Sequence, residues 1–486
     1  MDRFIMQHRD RIVGSLSCFD RVIFKGHLSI SYPTGLEKFL GWMGLKLKDF
    51  KELALNAAGW LKCHAQLTAE RAGRPYQYLN RPVRKEDLAR QIAERDGVRQ
   101  GLICVFGTLE PVQAFRVVYG EDRPRLRSDW RKCLVHYFYL RDRQFGVMHV
   151  RRSTWFPFTM QVYVNGHEWL ARRLEQLRLT FCKLDNAFLT IARPQRAQRL
   201  AREFARLPWP EILGRFAQRF NPLLRDVLHP LHYYWVTDQA EYSTDVMFRS
   251  RADLQALYPA LLRHATLGFQ ADDVMRFLGR KLHPAFQGEI VSDLKHRVEG
   301  ARIKHRAKRN WIKMYDKHGR VLRVETVINQ PREFKVRRVT VCRKRRITRW
   351  TPMPKGVAFL DRIERIGGAA NQRYLDALAN VEDPSAARRA LDRMAQPAGA
   401  RPRRHRGFNP ADPDDARLFA AVLRGEHLIA GFRNRQVREA LFGATADRTL
   451  ARRQAAHVTR LFGRLHAHGY IAKVPHTRRW RVTLLG

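Results

Sequence analysis

From residue 101 to residue 164 the chain carries a succession of short apolar segments that a β-sheet accommodates best. Gly101-Leu-Ile-Cys-Val-Phe reads as a buried strand, and Phe115-Arg-Val-Val-Tyr and Lys132-Cys-Leu-Val-His-Tyr-Phe-Tyr-Leu alternate or run apolar. Gly146-Val-Met-His-Val-Arg and Met160-Gln-Val-Tyr-Val continue the series. Their β-branched and aromatic side chains suit a pleated, half-buried surface. Asn165-Gly166 is a turn signal, and helical spacing resumes over 168–179. A mainly antiparallel sheet with helices packed on it is the economical arrangement, so the expected fold class is α+β.

The remaining chain divides by pattern. Residues 1–95 are a mixed α/β segment, 96–194 the strand-rich sheet domain, and 195–290 a helix-rich domain with helices at 197–206, Trp209–Phe220, 251–264 and 271–278. Residues 291–383 form a basic β-hairpin region, in which Ile312-Lys-Met-Tyr and Val321-Leu-Arg-Val-Glu-Thr-Val-Ile flank a turn at Lys317-His-Gly. A linker at 384–413 combines proline, glycine and arginine, and 414–486 is a compact C-terminal domain.

Charge then narrows the class of partner. The chain has 91 Lys+Arg against 46 Asp+Glu, a net charge of +45 over 486 residues. Such an excess repels itself unless a polyanion offsets it, and the guanidinium fork suits phosphate. With 45% hydrophobic residues the chain still folds, so it is not a basic disordered tail. The excess is also clustered: residues 291–350 carry net +15 and residues 401–486 net +12, which an evenly Arg-biased composition would not produce. The expectation is a nucleic-acid partner, DNA in preference to RNA, with no membrane association, since no apolar run of membrane-spanning length and no signal-peptide core is present. Six cysteines scattered singly argue against a zinc ribbon and read as reduced thiols of a cytoplasmic protein. Oligomeric state is not readable from the chain.

Within the first cluster, Arg302, Lys304, Arg306, Lys308 and Arg309 lead into Trp311, and Arg343, Lys344, Arg345 and Arg346 lead to Trp350. Cations interleaved with aromatics can hold phosphates while a ring stacks on a base. In the C-terminal domain a first helix carries Leu418, Phe419, Val422 and Leu423, and a second, capped by Asn434, carries Val437, Leu441 and Phe442. A long third helix over 447–468 directs Val458, Phe462 and Leu465 inward and Arg448, Arg452, Arg453, Arg460 and Arg464 outward. The tract Leu465-His-Ala-His-Gly-Tyr-Ile-Ala-Lys-Val-Pro-His-Thr-Arg-Arg-Trp-Arg-Val-Thr resembles the recognition-helix and wing segment of bacterial winged-helix DNA-binding domains. That resemblance implies a helix in the major groove and a basic wing, here with Arg478, Arg479 and Arg481, on the backbone or minor groove.

The catalytic signals are fewer. Walker A, dinucleotide-binding and H-E-x-x-H patterns are absent from the sequence. Tyr315-Asp316-Lys317 followed by Glu325 on the next strand resembles the hairpin of phage and plasmid replication initiators, which implies Tyr315 as nucleophile with Asp316 and Glu325 as acidic partners. Asp238, Glu241 and Asp245 would share one face if their segment were helical, as a Mg²⁺ or Mn²⁺ site needs. The alternative to a binding protein is therefore a metal-dependent nuclease or replication/recombination initiator on the same nucleic acid. A regulator with a small-molecule sensor in the sheet domain is a third class. Phe19-Asp-Arg-Val-Ile-Phe-Lys-Gly, Thr154-Trp-Phe-Pro-Phe, Asn165-Gly-His-Glu-Trp-Leu-Ala and Val274-Met-Arg-Phe-Leu-Gly-Arg-Lys resemble a bacterial protein family of the kind carried on mobile elements, which implies a bacterial setting and no defined activity.

Overall fold

The computed structural model describes residues 2–119, 123–280, 290–297, 300–342, 345–379, 394–399, 404–409 and 412–483. Its strands are β1 (Ile12–His27), β2 (Tyr76–Tyr78), β3 (Gly101–Val118), β4 (Arg125–Asp142), β5 (Gly146–Ser153) and β6 (Met160–Asn165). They continue with β7 (Phe181–Leu184), β8 (Ala187–Ile191), β9 (Tyr234–Phe248), β10 (Ile290–Arg297), β11 (Gly300–Ala307) and β12 (Asn310–Lys317). The last are β13 (Val321–Ile328), β14 (Lys335–Cys342), β15 (Arg345–Pro352), β16 (Ile471–Lys473) and β17 (Trp480–Val482). With the helices given below, this is an α+β fold. Two compact units interleave along the chain: a first of residues 16–243 and 327–365, and a second of residues 1–15, 244–326 and 366–486.

In the first unit the strand order is β9-β1-β6-β5-β4-β3-β2. The β1–β6, β6–β5, β5–β4 and β4–β3 pairs are antiparallel, and β2 runs parallel to β3. The five segments read between 101 and 164 become β3 to β6, with the first two fused into one 18-residue strand. The expected helix after Asn165 is Gly166–Gln176, where the Asn165 side chain accepts the Glu168 amide at 3.0 Å. The helix read at 197–206 stops earlier, at Pro194–Ala201, and a 3-10 turn follows at Phe204–Arg206. His149 is buried in this unit, stacked at 4.8 Å on Tyr163.

In the second unit residues 244–248 of β9 belong to the order β10-β11-β12-β13-β9. Alternation explains it: Ile303, His305 and Ala307 of β11, Ile312 and Met314 of β12, and Leu322 and Val324 of β13 face a helical core, and the residues between them face away. The Arg251–Leu267 helix covers the core side with Leu254, Leu257, Tyr258, Leu261 and Ala265. It starts at a capping box, in which Ser250 Oγ accepts the Asp253 amide at 3.2 Å and the Asp253 carboxylate accepts the Ser250 amide at 3.0 Å. His305 lies in this core between Ser292, at 2.8 Å, and Tyr374, at 3.2 Å.

Burial holds both His149 and His305 well below the ordinary histidine value, at about 3. Unfolded, each takes a proton near pH 6.5 that the folded state refuses. Stability is therefore full above that pH and falls as the pH drops toward 3, at about 1.4 kcal/mol per pH unit for each histidine. Thermal melts between pH 7 and pH 4.5 are expected to show this decline, and His305→Gln to make it shallower.

The C-terminal segment of the second unit contains the helices Pro413–Val422, Gly425–Ala430, Asn434–Phe442 and Arg448–Ala467, then the β16–β17 hairpin. Its core unites Leu418, Phe432, Val437, Val458, Phe462, Leu465 and Ile471. Three details depart from expectation, the first a helix at Gly425–Ala430 between the first two expected ones. Asn434 is not the cap: Arg433 precedes the helix, while the Asn434 amide donates to the Ala455 carbonyl at 2.9 Å and to Thr459 at 3.0 Å, tying two helices together. The described parts of the expected linker are packed, with Phe408 in the core and Ala398 bridged to His405; its other residues lie outside the described ones.

Candidate functional site

The second unit brings the first basic cluster together on the sheet face opposite the helical core. Arg302, Lys304 and Arg306 of β11 sit in register with Tyr315, Lys313 and Trp311 of β12, and residues directly paired share a face. Lys295 and Asp293 of β10 pair with Arg302 and Lys304 and extend the same surface. Alternate residues on a strand are about 6.8 Å apart, two phosphate rises of about 3.4 Å along a nucleic-acid strand. The Lys304 ammonium lies 4.1 Å from the Trp311 ring centroid, a cation–π contact. Burial and then Lys313, Arg302 and Arg306 push Lys304 below its ordinary value, so these cations crowd one another. Among the described residues, Arg302 Nε and Trp311 Nε1 are buried donors with no acceptor. Lys308 and Arg309 are exposed at the turn between β11 and β12.

On the same face Glu325 of β13 is buried, accepting Tyr315 Oη at 2.6 Å and Lys313 Nζ at 2.6 Å. Tyr315 and Glu325 therefore meet as expected, but Asp316 does not join them. The next residue along a strand points to the other face, and Asp316 instead accepts the Gly319 amide at 2.8 Å, closing the turn.

The proposed triad of Asp238, Glu241 and Asp245 fails for the same geometric reason. Its segment is the strand β9, not a helix, so Asp238 lies on the opposite face from Glu241. Asp245 is fully buried and held by a bidentate ion pair with Arg323, at 2.6 and 2.7 Å. Glu241 has a different neighbour, one the sequence reading did not single out. In the first unit its carboxylate lies within 4.8 Å of that of Asp20 on β1. Asp20 accepts Asn165 at 3.2 Å and Asn186 at 2.5 Å, and His167 Nδ1 stands 3.7 Å away. Beside them Arg21 is held above its ordinary value; burial works against its charge, and Glu241, Tyr163 and Asp20 outweigh it. Asp20 and the Asn165–His167 segment belong to two of the tracts quoted for the mobile-element resemblance, and the fold places them in contact.

Ser243 Oγ stands 3.4 Å from His167 Nε2, completing a Ser-His-Asp order with Asp20. Ser243 and His167 have no solvent exposure, however, which leaves no open face for a substrate. The cluster is a buried polar relay. Its chemical capacity resides in the two carboxylates, which offer a hard divalent cation oxygen ligands.

Three of the C-terminal arginines have internal duties. Arg464 is buried, bidentate to Asp415 at 2.7 and 3.0 Å and stacked 3.7 Å from the Phe408 centroid. The helical count placed it outward, but the chain before the first helix folds back over it: its guanidinium also donates to the carbonyls of Arg406 and Gly407. Arg479 donates to the Ala430 carbonyl at 3.0 Å, and Arg481 pairs with Asp272. Arg448, Arg452, Arg453 and Arg460 on the Arg448–Ala467 helix, and Arg478 at the hairpin tip, are exposed. Of the second basic run, Arg346 is exposed on β15, Arg345 is placed on β15 by its backbone, and Arg343 and Lys344 lie outside the described residues.

The first unit also holds a cavity of about 520 Å³, lined by Phe50, Phe115 and Trp155 with Lys48, Lys51 and Arg131 among its other residues. Among the described residues no helix is long and apolar enough to cross a membrane. The chain matches no protein-family model, no curated protein and no solved structure.

Proposed function

We propose that this protein binds nucleic acid, duplex DNA foremost, through the β11–β12 face of its second unit and the exposed arginines of its C-terminal segment. The observation that carries the reading is the mutual crowding of Arg302, Lys304, Arg306 and Lys313 on one sheet face. Bringing like charges together costs free energy that a phosphate backbone recovers. The C-terminal segment supports it by its order of two helices, strand-like bridge at Phe432, two further helices and hairpin, with Arg452, Arg453, Arg460 and Arg478 exposed. This order suits a winged helix with one added helix, and its last helix, Arg448–Ala467, would enter the major groove. A bacterial, nucleoid-associated setting belongs to the same proposal. Competition against a labelled duplex tests it: unlabelled DNA is expected to displace the probe, DNA better than RNA, and polyglutamate poorly. Equal displacement by polyglutamate would reduce the face to a nonspecific polyanion sink.

A second reading, a metal-dependent nuclease or replication/recombination initiator, is favoured by the Tyr315–Glu325 contact of 2.6 Å, in which a carboxylate is placed to take the phenolic proton. Mg²⁺ or Mn²⁺ would be held by the carboxylate oxygens of Asp20 and Glu241. On this reading Mn²⁺ raises the melting temperature of the wild-type chain, and Glu241→Gln removes the rise. Cleavage of labelled DNA with Mn²⁺, lost in Tyr315→Phe, would establish the activity. An unshifted melt with no cleavage would leave the protein a binder only.

A further inference from the structure

We infer that β14 and β15 form a groove-reading arm: a two-stranded ribbon that enters the major groove of duplex DNA. The inference rests on the nucleic-acid reading above and adds a second contact, in the first unit. Among the described residues β14 and β15 pair only with each other, in continuous register from Lys335↔Pro352 to Cys342↔Arg345. The ribbon is anchored at its base, where Phe334, Val336 and Met353 are buried and the Met353 amide donates to the Phe334 carbonyl at 2.8 Å. Beyond that base it is exposed on both faces. One face carries Arg337, Val339 and Val341 opposite Trp350, Thr348 and Arg346; the other carries Arg338 and Thr340 opposite Arg349 and Ile347.

Three properties choose the occupant. Residues 335–350 hold eight Lys+Arg and no Asp or Glu, so the partner is anionic. Val341 is 69% exposed, Trp350 66% and Val339 60%, a large apolar share for a hairpin that would be marginal alone in water. A partner therefore presents apolar surface between its charges. Shape completes the choice: a two-stranded ribbon fits the major groove, about 12 Å wide, while the minor groove is about 6 Å wide. In that groove Arg337 and Arg346 on one face and Arg338 and Arg349 on the other reach the two flanking backbones. The face with Val339 and Val341 meets base edges, where thymine methyl groups supply apolar contact.

The test uses the full chain, a guanine-containing DNA duplex and its separated strand. Dimethyl sulfate methylates guanine N7 in the major groove and adenine N3 in the minor groove, so protection reports which groove is filled. Wild-type protein is expected to protect guanine N7 over a few base pairs. Arg337→Gln with Arg349→Gln should remove the ribbon's part of that protection, leaving only the part due to the C-terminal helix, and weaken duplex binding by about tenfold, with single-strand binding changed less than threefold. Val339→Ser with Val341→Ser, which alters no charge, should lose the same part of the protection. Circular dichroism checks that both variants fold. Duplex binding with protection unchanged in both variants, or protection confined to adenine N3, overturns the arm while leaving the nucleic-acid reading standing. A wild-type chain that binds no duplex overturns both. A wild-type dimer that the serine variant converts to monomer, with DNA binding intact, would make the ribbon a self-association edge and also overturn the arm.

Discussion

Replacing Arg302, Lys304 and Arg306 together by glutamine is expected to weaken duplex binding by one to two orders of magnitude, on the order of a few phosphate contacts. It should also lower the salt dependence of log K by about three units, one for each lost contact. The three side chains alternate with buried Ile303 and His305 along one strand, so their removal leaves the core side of β11 intact. Glutamine keeps part of the aliphatic stem and a hydrogen-bonding group, and removes the charge together with the Lys304 contact to Trp311. Folding should therefore survive, and self-repulsion within the face should fall, so the variant is expected to melt no lower than wild type. Fluorescence anisotropy over a salt series measures affinity and slope together. A stable variant with undiminished affinity would place the binding surface elsewhere.

The largest stability effect is expected at Arg323 and Asp245. Both are completely buried, and the pair is bidentate. Arg323→Met leaves Asp245 as an uncompensated buried charge, at a cost of about 3–5 kcal/mol. Arg323→Met with Asp245→Leu removes both charges and is expected to recover most of that loss, because such a pair repays little beyond its own desolvation. Hydrogen exchange of peptides from β9 and β13 reads the change locally. In the single variant their protection should drop by about two to four orders of magnitude, which is what about 3–5 kcal/mol implies. If single and double variants lose protection equally, Arg323 is acting through packing and not through its charge.

How much of this was legible in the chain differs by element. The β3–β6 series was readable because β-branched and aromatic residues recur between turn signals, and the helix after Asn165 because its cap is in the sequence. β9 was not, because acids at 238, 241 and 245 carry helical spacing while Tyr-Trp-Val-Thr at its start carries strand propensity. The acids misled because two of them serve unrelated partners, Asp20 and Arg323. In β11 the alternation of Ile303, His305 and Ala307 with Arg302, Lys304 and Arg306 is a strand pattern that the density of charge obscured. Arg464 and Arg481 show the limit of assigning cations to a surface by periodicity alone. Asp415 and Asp272, which hold them, are distant in sequence, and only the packed fold brings them near. Asp20 had one sequence signal, a single acid inside an apolar run within a tract already notable for its resemblance.

The most direct test of the central claim is the affinity of the full chain for a short DNA duplex between 50 and 300 mM salt. Log K is expected to fall linearly with log salt, with a slope of about −4 or steeper, as several released counterions require. A slope near zero, or no measurable binding at the lowest salt, would contradict it.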